Sequence, residues 1–207
     1  MQERLNIPPT KSALLAIKRQ INFLDEGYRL LERKREMLTR LVYERLAEYK
    51  KEKQTVQAAI DESYHWLSIT QMRMGSLRIK QFAIGMPEAV EVKVLPRRNL
   101  GIQYPSVSLK KLPLQPLSIL GTDASLDETR IKFAEMVTKL AHLGEIEIVL
   151  WRLLEEQRKT QKRVNSLKYN VIPKYKRTVT FIESSLEEEE RNTLFQIKVL
   201  REQSDAI

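Results

Sequence analysis

The chain has no cysteine and little glycine, proline or aromatic content. Its 207 residues include six glycines, eight prolines and 7% aromatic residues. Without cysteine there is neither a disulfide framework nor a thiolate metal site. Because 30% of the residues are charged and glycine is scarce, the composition favours long helices over a sandwich or a barrel.

Long apolar runs are also lacking. No stretch approaches the roughly 20 uncharged apolar residues that a membrane span needs, and the N-terminal sequence MQERLNIPPTK has no apolar core of a signal peptide. We therefore expect a soluble, cytoplasmic protein. The formal charge of +9 favours acidic partners, which include nucleic acid, anionic lipid and acidic protein surfaces.

The familiar motifs of nucleotide and metal chemistry are absent. The sequence contains no phosphate-binding GxxxxGK[ST] loop, GxGxxG, HExxH or EF-hand loop. The two histidines, His65 and His142, are isolated, and the consecutive acids Glu187 to Glu190 point around a helix instead of converging on one ion. We predict no catalytic residue, no cofactor and no metal site.

A first long helix is predicted over residues 10–74. Thr10 is a good N-cap after Pro8 and Pro9, and no proline follows before Gly75. Apolar side chains recur in heptad steps at Leu14, Ile17, Ile21, Leu24, Tyr28, Leu31, Leu38, Val42, Tyr49, Val56, Ala59 and Trp66. This pattern is typical of a coiled coil.

A second long helix is predicted over residues 125–204. Ser125 and Glu128 have the spacing of a capping box. We expect Pro173 to kink this helix without ending its heptad pattern. Its predicted seam comprises Val137, Leu140, Trp151, Leu154, Ile172, Tyr175, Val179, Ile182 and Leu186.

The segment 75–124 between these helices holds most of the remaining glycines and prolines, and we expect it to be non-helical. Val90, Val92 and Val94 alternate with charged residues, and a looser alternation follows the turn-like PRRNLG. This pattern predicts one β-hairpin. The predicted fold is therefore mostly α, a long two-helix antiparallel coiled coil with a short β-hairpin inserted between the helices; a bundle of broken helices is the alternative.

Basic residues cluster on both helices. Between Arg158 and Arg177 lie eight basic residues and no acidic one, and antiparallel pairing would bring this stretch opposite roughly Ala16 to Val42. A solvated face is one interpretation, and a surface that meets acidic loops of surrounding subunits is the other. The candidate partner-contact residues are Arg33, Lys34, Arg35, Lys162, Arg163, Lys174, Arg177 and Arg191.

Two separated stretches resemble one known family. The N-terminal PPTKSALLAIK and EGYRLLERKREML, with Gly27, Lys34 and Arg35 on matching positions, and the C-terminal KRVNSLKYNVIPKYKRTVTFIESSLEEEERNTLFQIK, with Pro173 and Arg191, resemble the D subunit of the vacuolar and archaeal type rotary ATPases. The segment VEVKVLPRRNLGIQYP is similar to the hairpin of that family.

This resemblance implies a non-catalytic central stalk on the cytoplasmic side of a proton- or sodium-translocating complex. It implies that the paired chain ends enter the hexamer of catalytic and regulatory subunits, that the small F subunit of the stalk binds alongside, and that the hairpin end faces a membrane-side coupling subunit. Two other classes remain open, a coiled-coil scaffold or membrane-surface rod and a nucleic-acid-binding coiled coil. Few large apolar residues accompany the bases outside the seam, and no basic forked end is present, so neither class is favoured.

Overall fold

The fold is mostly helical, with one β-hairpin. The computed structural model describes residues 4–99, 101–116 and 121–204, with side chains as far as residue 201. Its elements are α1 (Lys11–Met74), α2 (Ser76–Ile84), β1 (Val90–Asn99), β2 (Ile102–Lys111), α3 (Ala124–Ser166), a π-helical segment (Leu167–Val171) and α4 (Ile172–Ser204). The predicted fold class, an antiparallel helical coiled coil with an inserted hairpin, is confirmed.

The chain forms two compact units. The first unit comprises the described parts of Met1–Met37 and Gln157–Ile207, and the second is Leu38–Glu156. In the first unit Lys18 pairs with Glu183 and Arg35 contacts Gln161. In the second unit Glu62 pairs with Lys132 and Arg73 with Asp123. In both units residue numbers rise on one helix as they fall on the other, so the helices are antiparallel.

Helix α1 begins and packs as the sequence predicts. The Thr10 hydroxyl accepts a hydrogen bond from the Ala13 N–H at 3.1 Å, and the helix ends at Gly75, whose φ of 78° lies in the left-handed region that glycine tolerates. Ile17, Leu38, Val56 and Ala59 are buried, and the other predicted seam residues of this helix are half-buried. The apolar stripe predicted for α1 is therefore its inward face.

The predicted seam of α3 is wrong at three of its four positions, and the fourth, Leu154, is half-buried. Val137, Leu140 and Trp151 are exposed, whereas Ile146, Leu150 and Leu153 are buried. Helical spacing places these two groups on opposite faces of α3. Periodicity detects an apolar stripe but does not decide which of two stripes faces inward, and the prediction chose the outer one. In α4 the predicted Ile172 and Ile182 are buried.

The segment after α1 is also partly helical, contrary to expectation. Residues Ser76–Ile84 form α2, because Gly75 ends α1 but the following nine residues contain neither glycine nor proline. The capping box predicted at Ser125 is likewise replaced, since the Ser125 hydroxyl donates to the Asp123 carboxylate and the helix already begins at Ala124. Within the predicted segment 75–124, residues 100 and 117–120 lie outside the described part of the chain.

The hairpin is longer and its turn tighter than PRRNLG suggests. Pro96 pairs with Pro105 and Asn99 with Ile102, so only residues 100 and 101 connect the strands. Gly101 has a φ of 79°, as short hairpin turns require. Ile102, at the start of β2, is buried in a cluster with Leu38 of α1 and Leu153 of α3. This contact holds the hairpin against the helices, since an isolated two-stranded hairpin is only marginally stable.

Hydroxyl groups occupy buried positions between α1 and α3. Thr70 is fully buried, and its hydroxyl lies 2.8 Å from that of Thr129 and 2.9 Å from the Ser125 carbonyl oxygen. The Ser63 hydroxyl donates to Ala59 of its own helix at 2.7 Å and lies 3.1 Å from the Lys132 carbonyl oxygen. Such contacts between a side chain and the facing backbone need small residues, so they mark a close approach of the two helices.

The Thr70 hydroxyl should contribute measurably to stability. Thr70→Val keeps the shape of the side chain but removes the hydroxyl facing Thr129 and Ser125, and we expect it to lower the free energy of unfolding by about 1–3 kcal/mol. Urea unfolding followed by circular dichroism measures this loss. The control is Thr55→Val, at an exposed residue whose hydroxyl bonds to Glu52 of its own helix turn. It should change the free energy of unfolding by less than about 0.5 kcal/mol. If both variants lost the same free energy of unfolding, the buried hydrogen bonds of Thr70 would not contribute to stability.

The predicted interruption at Pro173 takes the form of a π-helical segment. The Ile172 N–H donates to the Leu167 carbonyl oxygen, one residue further back than in an α-helix. Pro173 has no N–H, and its ring would crowd the carbonyl group four residues earlier. The wider π-helical turn relieves this conflict without ending the helix.

Candidate functional site

Five of the predicted partner-contact residues lie at one level of the first unit. Arg33, Lys34 and Arg35 are on α1, and Lys162 and Arg163 are on α3. The 3.4 Å contact between the Arg35 guanidinium and the Gln161 side-chain oxygen brings the two groups opposite each other. We call these five residues the basic collar. Arg33, Lys162 and Arg163 are exposed, so their charges are available to a partner.

Arg35 has an internal role that the sequence did not reveal. Its guanidinium lies 2.6 Å from a Glu32 carboxylate oxygen, and both side chains are about three-quarters buried. The other Glu32 oxygen is buried without a hydrogen-bond partner. Removing Arg35 would leave that carboxylate partly desolvated and uncompensated, so Arg35 stabilises the fold in addition to any contact with a partner.

The other three candidates lie away from the collar. Lys174 and Arg177 follow the π-helical segment, on the stretch of α4 between the Arg35–Gln161 and Lys18–Glu183 contacts. Arg191 lies next to Glu190, which pairs with Lys11 at 2.7 Å. At 1.5 Å per helical residue, Arg191 is roughly 40 Å along the helix from Arg163. The predicted set is therefore spread along the unit, with its densest part at the collar.

The N-terminal residues before α1 pack against α4, which sequence reasoning missed. The Leu5 N–H donates to the buried Thr178 hydroxyl at 3.1 Å, and the Arg4 guanidinium lies 3.9 Å from the centre of the Phe181 ring. Helix α1 already contacts α4 through the Lys11–Glu190 and Lys18–Glu183 pairs. Arg4 and Leu5 therefore add a further contact to α4, at Thr178 and Phe181. The available signal was the Pro8-Pro9 pair, which keeps the preceding residues extended and separate from the helix that follows.

The Lys11–Glu190 pair should be visible by titration. The hydrogen bond from the Lys11 ammonium lowers the pKa of Glu190 and raises the pKa of Lys11. The pair stabilises the folded chain at pH values above the ordinary pKa of a glutamate. This stabilisation is lost as the pH falls through the lowered pKa of Glu190, where the carboxylate becomes protonated. In carboxyl-carbon NMR titrations we expect Lys11→Met to raise the Glu190 pKa toward its ordinary value, whereas Lys18→Met should leave it unchanged; an unmoved Glu190 pKa in Lys11→Met would refute the pairing.

Neither a metal centre nor a membrane span stands out in the described chain. Among the residues for which the structure gives positions, no three His, Cys, Asp or Glu side chains cluster closely enough to hold a metal ion. No described helix is both long and apolar enough to cross a membrane.

Comparison with known proteins identifies the family of this chain. The family model for the ATP synthase D subunit matches residues 13–202. The V-type ATP synthase D subunit of Thermotoga neapolitana is 32% identical over 199 residues, covering 96% of this chain and 98% of the relative. The A-type ATP synthase D subunit of Pyrococcus furiosus is 32% identical over 205 residues, covering 97% and 96%. With the chain matched almost from end to end, this protein belongs to the family of ATP synthase D subunits.

Proposed function

We propose that this chain is the central rotor shaft of a V/A-type rotary ATPase or ATP synthase. It would couple rotation of a membrane ring that translocates protons or sodium ions to ATP synthesis or hydrolysis in the catalytic hexamer. The observation that carries the proposal is the nearly full-length match to ATP synthase D subunits, which includes both long helical stretches and the hairpin. The chain itself would be non-catalytic and would bind no cofactor.

A packed pair of helices suits the transmission of torque. Each unit buries apolar side chains between antiparallel helices, Ile17 and Ile182 in the first and Leu38 and Leu153 in the second. Close-packed side chains resist separation and bending of the helices. In this proposal the helical stretches 10–74 and 125–204 form the shaft, and the segment 75–124 between them is the part that faces the membrane-side coupling subunit.

The basic collar is the proposed contact with the hexamer. Exposed guanidinium and ammonium groups can meet acidic loops through contacts that form and break rapidly, because rim charges steer association more than they add affinity. The catalytic and regulatory subunits would surround the collar and the chain ends, and the small F subunit of the stalk would bind alongside. The complex would place the chain on the cytoplasmic side as a peripheral component.

Reconstitution tests the proposal. The purified chain is mixed with the catalytic hexamer of its own organism, with and without the small stalk partner, and co-elution and steady-state ATP hydrolysis are recorded. We expect one copy of the chain per hexamer and sustained ATP turnover. Failure to co-elute, even with the small stalk partner present, would refute the shaft role and favour a scaffold.

A further inference from the structure

Helix α2 carries apolar side chains on two opposite faces. Leu77 and Ile84 are seven residues apart and share one face, whereas Ile79 and Ala83 lie on the opposite one. The first pair lies in solvent, with Leu77 71% and Ile84 88% exposed. The second pair faces the rest of the second unit, where both residues line a cavity. The fold therefore exposes the larger apolar face of α2 and turns the smaller one toward the cavity.

The cavity beside α2 has room for the exposed pair. Its volume is about 460 Å³, whereas a cavity of about 150 Å³ already accommodates a benzene molecule. Its other walls are mostly apolar and include Leu67 of α1, Val90 of β1, and Leu126, Phe133 and Val137 of α3. Two aliphatic side chains placed there would remove both their own surface and that of the walls from water, which is favourable.

Among the described residues, no polar side-chain contact fixes the rotation of α2 about its axis. No residue of α2 makes a side-chain hydrogen bond or an ion pair within the described part of the chain, and none is buried. Arg130, the cation that lines the cavity, already contacts Asp127 at 3.1 Å and the Gln115 carbonyl oxygen at 2.9 Å. A short helix that is held by apolar contacts alone can exchange one apolar face for another at little cost.

Glycines flank α2 at both ends. Gly75 has a φ of 78°, and the hydrogen bond from the Ile79 N–H to the Gly75 carbonyl oxygen is 3.4 Å long. No heavy atom lies within 4 Å of the place where a Cβ atom of Gly75 would be. Gly85 follows the last residue of the helix and donates to the Phe82 carbonyl oxygen. Because glycine has the widest range of backbone conformations, these two positions can absorb a rotation of the helix between them.

We infer that α2 rolls about its axis between two positions. In the position described above Leu77 and Ile84 are exposed; in the rolled position they fill the cavity, and the half-buried Ile79 and Phe82 are exposed instead. Each position covers one apolar face and exposes the other, so the two have similar free energies. The roll decides whether the larger apolar face of α2 is presented to other molecules or concealed. This inference goes beyond the proposed function, since a shaft transmits torque with α2 in either position.

Distances between spin labels test the roll in the full-length chain, which has no cysteine of its own. One pair of labels is attached at Arg78→Cys on α2 and Glu128→Cys on α3, and the control pair is attached at His65→Cys on α1 and Glu128→Cys. All three sites are exposed. Because a helix is about 10–12 Å across, the α2 pair should give two distances that differ by on the order of 10 Å. Both should be populated within about tenfold of each other, and the control pair should give one distance.

Two matched variants should move this equilibrium in opposite directions. Leu77→Gln combined with Ile84→Gln makes the larger face polar, so that face should stay in solvent and the distance of the unrolled position should dominate. Ile79→Gln combined with Ala83→Gln makes the smaller face polar, so the distance of the rolled position should dominate. Neither variant changes the net charge, and a static α2 would keep one distance in both.

Three outcomes would overturn the inference. They are a single distance for the α2 pair in the labelled chain without further changes, two distances that both variants shift in the same direction or that neither shifts, and one broad distribution, which would indicate that α2 is unfolded. A chain that drives rotation in the assembled complex but gives a single α2 distance contradicts the roll alone. The shaft role is therefore tested separately from the roll.

Discussion

Reversing the three exposed charges of the basic collar should weaken binding to the catalytic hexamer about 100-fold at low salt. The variant is Arg33→Glu, Lys162→Glu and Arg163→Glu combined. Each change replaces an attraction to an acidic surface by a repulsion, and a cost of about 1 kcal/mol per rim charge gives this factor. Arg35 is left unchanged because it pairs with Glu32 inside the fold.

The salt dependence of binding and a control variant with the same charge change distinguish the collar from an effect of net charge. Because the Debye length shrinks from about 10 Å at 0.1 M salt to about 3 Å at 1 M, the difference from the unaltered chain should narrow to a few-fold at high salt. The control, Lys50→Glu, Lys51→Glu and Lys53→Glu, makes the same charge change at exposed positions of the second unit. Titration of each labelled variant into the hexamer, at low and at high salt, measures its dissociation constant. Equal losses in the two variants would mean that net charge, and not the collar, guides assembly.

Replacing Ile182 by alanine should lower the free energy of unfolding by about 2–5 kcal/mol. Ile182 on α4 has 0% of its surface exposed, so the shorter side chain leaves a cavity between tightly packed helices. For a chain of this size each kcal/mol corresponds to roughly 2–4 °C, so Tm should fall by about 4–20 °C. Thermal unfolding followed at the helical circular dichroism signal gives the value.

Ile197→Ala is the matched control, because it makes the same change on the same helix at a residue that is more than half exposed. Its Tm should stay within about 2 °C of the original, since surface substitutions change stability by about 0.5 kcal/mol or less. If Tm fell by the same amount in both variants, packing of the buried seam would not be what stabilises the helix pair. The argument that this packing makes the shaft stiff would then be contradicted.

The long helices and the packing of α1 were predictable because the heptad positions chosen on α1 are the ones that the fold buries or half-buries. The inward face of α3 was misassigned because that helix has two apolar faces, of which one is buried and the other is exposed among the described residues. Trp151 was predicted to lie in the seam, whereas its exposure marks an outer surface. Apolar periodicity reports where burial is favourable, not which molecule supplies the other side.

The candidate site was predictable only in outline. Runs of bases such as Arg33 to Arg35 are visible in the sequence, but the contacts of Arg35 with Glu32 and Gln161 depend on side-chain packing and on the antiparallel register. Apolar periodicity does not reveal buried hydroxyls such as that of Thr70, because threonine and serine are counted as polar in such a pattern. Helix α2 was missed because Gly75 marks the end of one helix but gives no sign that another follows.

The most direct test of the shaft role is to watch the chain turn. Since it contains no cysteine, Ser76→Cys at the exposed start of α2 provides a single attachment point for a bead. The catalytic hexamer is fixed to a surface, the labelled chain is bound to it, and ATP is added. The proposed function predicts rotation of the bead in one direction that depends on ATP. A bead that stays still while the same complexes hydrolyse ATP at their normal rate would contradict it.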